Sequence, residues 1–310
     1  KSAKQKSNPK KTIKIMAFDL TALTAYTDET SLDLIAKAVL NTDLMEYVDI
    51  RSGLSAGTVA INLMDGDLNV ADLACGWNPS GDVAFSQVDI TIRDKQVKMD
   101  LCPEDLRSYW LSQRMSAGAN QESVPFEEVI ADYYVKRISK YNEAYLVDGD
   151  GTGTGIKDQV TSANGATLSA APAAWTLTNA VEQALNIFDA VNEASKDRDD
   201  LIMIVSPANF NTLRRALVAQ NYYHYDQGDG RSFELPGANI KVVKTSGLTG
   251  SDYVCAGPSS MIVAGTGLED DMSTVQFFYD KGQDVVKFIA KWRLGVAVSQ
   301  VDQFGTNDLA

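Results

Sequence analysis

SVPFEEVIADYYVKRISKYNEAYLVDGDGTGTGI, residues 123–156, is a long helical pattern that runs into a glycine-rich turn, and the rest of the chain is organised around it. Phe126, Val129, Ile130, Tyr133, Tyr134, Ile138, Tyr141 and Tyr145 recur at three- and four-residue spacing. Glu127, Glu128, Asp132, Lys136, Arg137 and Lys140 fall mostly between them, so one stripe is apolar and the other wet. Ser123 is placed to cap the helix, Pro125 lies in its first turn, and Glu127 and Glu128 face the positive end of its dipole. Gly149 stops it, with Gly151, Gly153 and Gly155 behind. About 24 residues at about 1.5 Å each make a rod on the order of 36 Å, long enough to be the spine of a domain.

The 310 residues suffice for a sizeable core in one large or two modest domains. No apolar run reaches the roughly 18 residues of a membrane-spanning helix, and the first residues lack the apolar core of a signal peptide. The expectation is therefore a chain made in a cytoplasm, with no membrane partner. Cys75, Cys102 and Cys255 are far apart, odd in number and without metal-ligand spacing, which predicts reduced cysteines. The net charge of −13 is unevenly spread: Lys1, Lys4, Lys6, Lys10, Lys11 and Lys14 fall in the first 15 positions beside no acid. The remainder carries 22 basic against 41 acidic residues, a net of −19. Such a body repels nucleic acid over about a Debye length, whereas the basic arm is suited to phosphate or to an acidic neighbouring subunit, or is simply a draped tail. A start at Lys1 without methionine permits a processed N-terminus.

Residues 1–30 read as an extended arm. Leu32, Ile35, Ala36 and Val39 then give a short helix its apolar face. From Thr58 the period becomes two: Val59, Ile61 and Leu63 alternate with small or polar residues, turns are offered around residues 65–67 and 78–81, and Val88, Ile90 and Ile92 resume the alternation. This predicts a long antiparallel excursion, and two strands alone are marginal in water. Because Leu63, Met64, Leu68, Val70, Leu73 and Trp77 have no strong local core, the excursion is expected to lie on another surface, the alternative being its own domain. Val97, Met99 and Leu101 continue a strand, and Pro103 opens a short helix. Residues 161–174 form a Ser/Ala/Pro/Asn/Gly-rich connector.

After the connector, Val181, Ala184, Leu185, Phe188 and Val191 mark a helix, residues 201–205 an unbroken apolar strand, and Ser206-Pro207 the start of a helix bearing Phe210, Leu213 and Leu217. Short strands are predicted at 240–243 and 261–264, completing a compact α/β lobe. Val275, Phe277 and Tyr279 should face Val286, Phe288 and Ala290 across a turn at 280–282, with a last strand at 294–298.

Chemical motifs are scarce. The sole histidine, His224, lies in a polar aromatic loop without a marked nucleophile or a Gly-x-Ser-x-Gly elbow, so no catalytic residue is assigned. The run from Asp148 to Gly155 lacks the Gly-Lys-Ser/Thr of a phosphate-binding loop, and it follows a helix where a dinucleotide fingerprint follows a strand. Asp148, Asp150, Thr152 and Gly153 occupy places of a calcium loop whose twelfth position, Gln159, cannot chelate in bidentate fashion. What remains is a C-cap and hinge at Gly149, Gly151, Gly153 and Gly155, with a weak calcium site through Asp148 and Asp150 as the alternative. No cofactor and no metal are expected.

Three stretches in this order, VDITIRDKQVKMDLCPEDLRSYW (88–110), NEAYLVDGDGTGTGIKD (142–158) and TVQFFYDKGQDVVKFIAKWRLGVAVSQ (274–300), resemble the major capsid proteins of tailed bacteriophages, the Hong Kong ninety-seven fold shared with encapsulin shells. The resemblance covers residue 20 to the C-terminus and rests on order and spacing. It implies an α+β fold with an N-terminal arm at 1–30 and a short helix and strand at 31–51. An extended β-hairpin loop at 52–92 would lie over a neighbouring subunit, followed by a peripheral domain with the spine helix at 93–160. An α/β axial domain at 161–265 would meet the symmetry axes, and 266–310 would be the closing strands of the peripheral domain.

The implied function is structural: self-assembly as pentamers and hexamers into an icosahedral shell around a double-stranded DNA genome, located in the virion after assembly in a host cytoplasm. Portal, scaffold or protease partners and a cement protein are implied, with packaged DNA enclosed but little gripped. An encapsulin-type nanocompartment is the alternative, and an α/β hydrolase a second. Expected inter-subunit contacts are Val59, Ile61, Leu63, Met64, Leu68, Val70, Leu73 and Trp77, with Lys1, Lys4, Lys6, Lys10, Lys11 and Lys14 as arm contacts. One departure is firm: no Lys or Arg occurs between Arg51 and Arg93, so the lysine cross-link that some members place on this loop is not expected.

Overall fold

The computed structural model describes residues 44–66, 83–102, 126–151, 153–220, 230–267, 274–283 and 285–309. Its strands are β1 (Asp49–Arg51), β2 (Gly57–Gly66), β3 (Val83–Leu101), β4 (Thr167–Leu168), β5 (Leu201–Val205), β6 (Ser232–Glu234), β7 (Lys241–Lys244), β8 (Cys255–Pro258), β9 (Ile262–Thr266), β10 (Thr274–Asp280), β11 (Val285–Val298) and β12 (Gly305–Thr306). The helices are α1 (Phe126–Asp148), α2 (Ile156–Gln159), α3 (Ala180–Ala190) and α4 (Pro207–Ala219). The arm, the expected helices near 32–39 and 103–111, and the distal excursion at 67–82 lie outside the described residues.

The first sheet runs β1-β9-β11-β3-β2, with β10 also on β11. Strand β3 is 19 residues long and changes partner midway. Its first half pairs antiparallel with β2, from Gly66 opposite Val83 to Gly57 opposite Ile92; its second half pairs with β11, from Arg93 opposite Leu294 to Leu101 opposite Val286. The closing hairpin has the register expected from its alternation, Val275 on Ala290, Phe277 on Phe288 and Tyr279 on Val286. The strand expected separately at 294–298 is instead the end of β11, which leaves β3 and takes up β9 without a turn. No turn-forming pair interrupts that stretch. Gly295 marks the changeover, since a Cβ there would sit 2.5 Å from the Thr91 carbonyl oxygen and 3.1 Å from the Ile92 Cα of the crossing strand.

The second sheet runs β4-β12-β8-β5-β7-β6 and is mixed, β5 lying parallel to β7 and antiparallel to β8. All five residues of β5 are buried, which is why LIMIV carries no polar alternation. Ile202 and Ile204 face a core shared with α1 and β11, while Leu201, Met203 and Val205 face Ala184, Ile187, Phe210, Leu213 and Leu217 of α3 and α4. The sheet is thus the middle layer between α1 on one side and two helices on the other. Helix α4 starts where Ser206 and Pro207 predict, the Ser206 hydroxyl accepting from the Asn209 N–H at 3.3 Å.

The chain passes from the second sheet to the first through three residues, Ser259–Met261, and β12 returns it to the second sheet near the C-terminus. The segment after residue 265 therefore does not stay with the first sheet, as a single closing unit 266–310 would require. Asn307 holds the tail there, its side-chain oxygen accepting from the Val254 N–H at 2.9 Å and its amide donating to the Asp252 carbonyl at 2.8 Å. Nothing in its local pattern marks that return.

Helix α1 lies between both sheets. Tyr134 stacks on Phe288 with ring centroids 4.7 Å apart, and the Trp292 indole N–H donates to the buried Asn142 side-chain oxygen at 2.9 Å. Tyr133 and Tyr141, which the periodicity assigns to the apolar stripe, are instead half exposed, while Ser139, Asn142 and Glu143 are buried. The buried face centres on residues 134, 138, 142 and 145, which puts 133 and 141 on its flanks.

Candidate inter-subunit surfaces

Ten residues of β2 at about 3.3 Å each carry the hairpin on the order of 33 Å from its foot. The foot has a core of its own: Ile61, Ile90 and Ile92 are buried with Val263 and Ala297, and Leu54, Val59, Leu63 and Val88 pack against them. Of the residues expected to meet a neighbour, Ile61 is thus covered by its own chain, at 4% exposure, and Val59 and Leu63 are partly covered. Met64 lies in β2, but its side chain is outside the described residues, as are Leu68, Val70, Leu73 and Trp77. Farther along the hairpin Phe85 is open, at 77% exposure. Phe85 pairs with Met64 in the register and was not singled out by the alternation. Lys1, Lys4, Lys6, Lys10, Lys11 and Lys14 also lie outside the described residues.

The glycine turn is tightly closed. Gly149, Gly151 and Gly153 have φ of 70°, 76° and 79°, the left-handed region that glycine adopts without strain. Gly149 and Gly155 meet back to back: a Cβ on Gly155 would lie 2.4 Å from the Gly149 nitrogen and 2.6 Å from the Val147 carbonyl oxygen. The Thr154 hydroxyl donates to Asp150 at 2.8 Å. Arg93, at the residue where β3 changes partner, forms an ion pair with Asp150. Gln159 ties the far side to β11, its amide donating to the Thr154 and Val296 carbonyls, each at 3.1 Å, and its oxygen accepting from the Val298 N–H at 2.9 Å. Asp148 pairs with Lys157 at 3.7 Å. Both carboxylates of the alternative calcium reading therefore face cations of the chain, and among the described residues no group of three His, Cys, Asp or Glu side chains is placed to hold a metal.

Beside this turn Lys95 sits 3.9 Å above the Tyr145 ring. Burial lowers the Lys95 pKa, with Asp150 opposing the shift, and burial raises that of Tyr145, with Asp150 reinforcing it. Elsewhere Cys255 is fully buried and its thiol is pushed up to about 12 by burial, the chemistry of a core residue. Cys102 is exposed, and Cys75 and His224 lie outside the described residues.

No family model and no curated protein matches the sequence. Solved structures do match. The satellite phage P4 procapsid, which includes the size determination protein Sid, superposes with a TM-score of 0.59 at 13% identity, over 88% of this chain and 89% of that one. The chain has the phage-capsid fold. A Gordonia phage Cozz structure gives 0.59 at 9% identity over 86% and 85% of the two chains, and the SrpI encapsulin of Synechococcus elongatus 0.54 at 9% over 85% of each. At these identities the likeness is one of fold. Within this capsid fold the sequence reading missed the residues that join α1 to the second sheet. Glu143, at 6% exposure, accepts from the Thr245 hydroxyl at 2.7 Å, the Ser246 N–H at 2.8 Å and the Ser246 hydroxyl at 2.6 Å. Its only sequence signal is a charge close to the apolar stripe, which a solvated flank would also give.

Proposed function

We propose that the chain is a structural shell subunit that assembles through quasi-equivalent interfaces into an icosahedral capsid around a double-stranded DNA phage genome. The observation that carries this reading is the hairpin: its foot is anchored in the chain's own core while Phe85 stands open farther out, as suits a surface that a second copy covers. The likeness to the P4 procapsid and to the Cozz structure supports it. On this reading residues 52–92 are the extended loop, α1 is the spine of a peripheral domain, and the second sheet with α3 and α4 is the axial domain, in pentamers and hexamers. Portal, scaffold or protease, and cement proteins would be its partners in a virion assembled in the host cytoplasm. The turn at Gly149–Gly155 would set the angle between spine and axial domain.

An encapsulin-type nanocompartment is the second reading, favoured by the likeness to the SrpI encapsulin. Electron microscopy of the concentrated protein, with its mass from light scattering, tests both. Closed thin-walled shells or five- and six-membered rings are expected, and nucleic acid or protein inside would separate the two. A monomer or dimer unchanged by concentration, salt and co-expressed scaffold would overturn the shell reading. A hydrolytic activity abolished by His224→Ala in folded protein would replace it with an enzyme.

A further inference from the structure

On a subunit whose charge is strongly negative, the exposed face of α1 is cationic over residues 133–147, beyond Glu127, Glu128 and Asp132 of its first turns. Tyr133, Lys136, Arg137, Lys140 and Tyr141 are all exposed, at the three- and four-residue spacing of one helix face, and from Tyr133 onward no exposed acid interrupts them before Asp148. The one acid in that span, Glu143, is buried and turned to Thr245 and Ser246. The Arg137 guanidinium lies 5.1 Å from the centre of the Tyr133 ring, while Lys136 and Lys140 have no carboxylate partner among the described residues. Tyr141 leads towards the sheet: its ring and that of Trp292 are nearly perpendicular, with centroids 6.5 Å apart. Trp292 in turn lines an open cleft of about 290 Å³ with Lys95, Lys291, Gln96 and Asp94.

We propose that this cationic, aromatic face of α1 is a sequence-independent contact for the phosphate backbone of nucleic acid. It goes beyond the shell reading, which supplies only the reason for nucleic acid to be near. Three features favour this occupant. Basic side chains interleaved with exposed aromatic rings are the surface that phosphates and bases contact together. From Tyr133 to Tyr141 the face spans about 12 Å, and its three cations stand on long side chains that can each reach a separate phosphate of a backbone lying along it, at most three in all. The acidic remainder of the body repels a polyanion, confining the contact to this strip.

Three neutralised phosphates predict a salt slope of about −2.7, so affinity for a duplex should fall about 40-fold between 50 and 200 mM salt through this face alone. The test uses the full chain and a fluorescein-labelled 30-bp duplex of arbitrary sequence, read by anisotropy across that range, with light-scattering mass taken on the same samples. In K136E/R137E/K140E, three exposed substitutions, the slope should become shallower by about 2.7, at unchanged mass and circular dichroism. Absence of binding at 50 mM salt would overturn the proposal. So would an unchanged slope in the triple variant, which would assign binding to the lysines of residues 1–15 or to another surface. Loss of assembled mass with duplex binding intact would also overturn it, showing that the face seats an acidic surface of a second copy. Failure of the shell reading is a separate outcome, since it appears as the absence of assembly in the parent protein whatever its DNA binding.

Discussion

Replacing Glu143 by alanine should lower the free energy of unfolding by about 3–5 kcal/mol. The carboxylate stands on α1 and meets three donors on the turn after β7, those of Thr245 and Ser246 at 2.6–2.8 Å. Thr245 is fully buried and Ser246 partly so. A buried polar group left without a partner costs about 1–3 kcal/mol; three would suggest more, but water reaching Ser246 recovers part of it. Packing closes the other routes to relaxation, because a Cβ at Gly247 would already lie 2.8 Å from the Glu143 carbonyl oxygen and 2.9 Å from the Val147 Cβ. Glu143→Gln keeps one acceptor oxygen and should cost only about 1 kcal/mol, the Ser246 hydroxyl turning to accept from the new amide. Equilibrium denaturation followed by the fluorescence of the buried Trp175 and Trp292 reads both, with a lower midpoint at unchanged slope expected for alanine. An alanine variant within about 0.5 kcal/mol of the parent would refute the reasoning, for it would mean that α1 and the second sheet are held together without this carboxylate.

Gly155→Ala should be among the most damaging single substitutions, at about 3 kcal/mol or more, because the new Cβ meets only main-chain atoms at 2.4–2.6 Å. Gly151→Ala, with open space around it but φ at 76°, should lose only about 1 kcal/mol, and thermal unfolding would rank the pair. In a thiol titration of native protein at pH 8, Cys102 should react while Cys255, fully buried with its pKa up to about 12, stays silent until denaturant is added. Asp200 is held well below the usual carboxylate range, first by its hydrogen bonds with Arg198, at 2.8 and 2.9 Å, and then by that of Ser260 at 2.6 Å. A folded pKa below the unfolded value of about 3.9 stabilises at neutral pH and loses that contribution as pH falls through and below about 4. Because the pair is substantially solvated, Asp200→Asn should cost no more than about 1 kcal/mol at pH 7 and should make stability less dependent on pH below 5.

What was legible in the sequence was whatever a local period controls. Helix α1 and its glycine stop, the buried strand β5, the Ser206-Pro207 start of α4 and the register of the closing hairpin follow from spacing, caps and alternation. Hidden from it were features decided by distant residues. Strand β12 is two residues long and exists because Asn307 reaches Val254 and Asp252. Tyr133 and Tyr141 fit an apolar period, yet their flanking position on α1 leaves them half in solvent, while Asn142 and Glu143 are buried because Trp292 and Ser246 wait for them on other elements. Alternation in β2 located the strand but could not say which apolar side chains its own chain covers. Ile61 is closed by Val263 and Ala297, residues more than 200 positions away.

One covalent strand connects the two environments of the hairpin. Strand β3 serves β2 up to Ile92 and β11 from Arg93, so any swing of the hairpin must bend or twist β3 at that junction. The junction is braced from two directions: Gly295 lets β11 pass beneath Thr91 and Ile92 at a distance that no other residue permits, and the Arg93 side chain is paired with Asp150 in the glycine turn. That turn is fastened to β11 again through Gln159 on Val296 and Val298. Hairpin foot, helix end and central strand therefore form one closed loop of contacts. Small adjustments at a subunit contact on the hairpin would be passed to the end of α1 as rigid-body motion before they were absorbed locally. On the proposed shell reading, one sequence placed in several environments needs its flexibility outside such a loop and away from the α1 junction that Glu143 clamps, which puts it beyond the covered foot, on the side of Phe85.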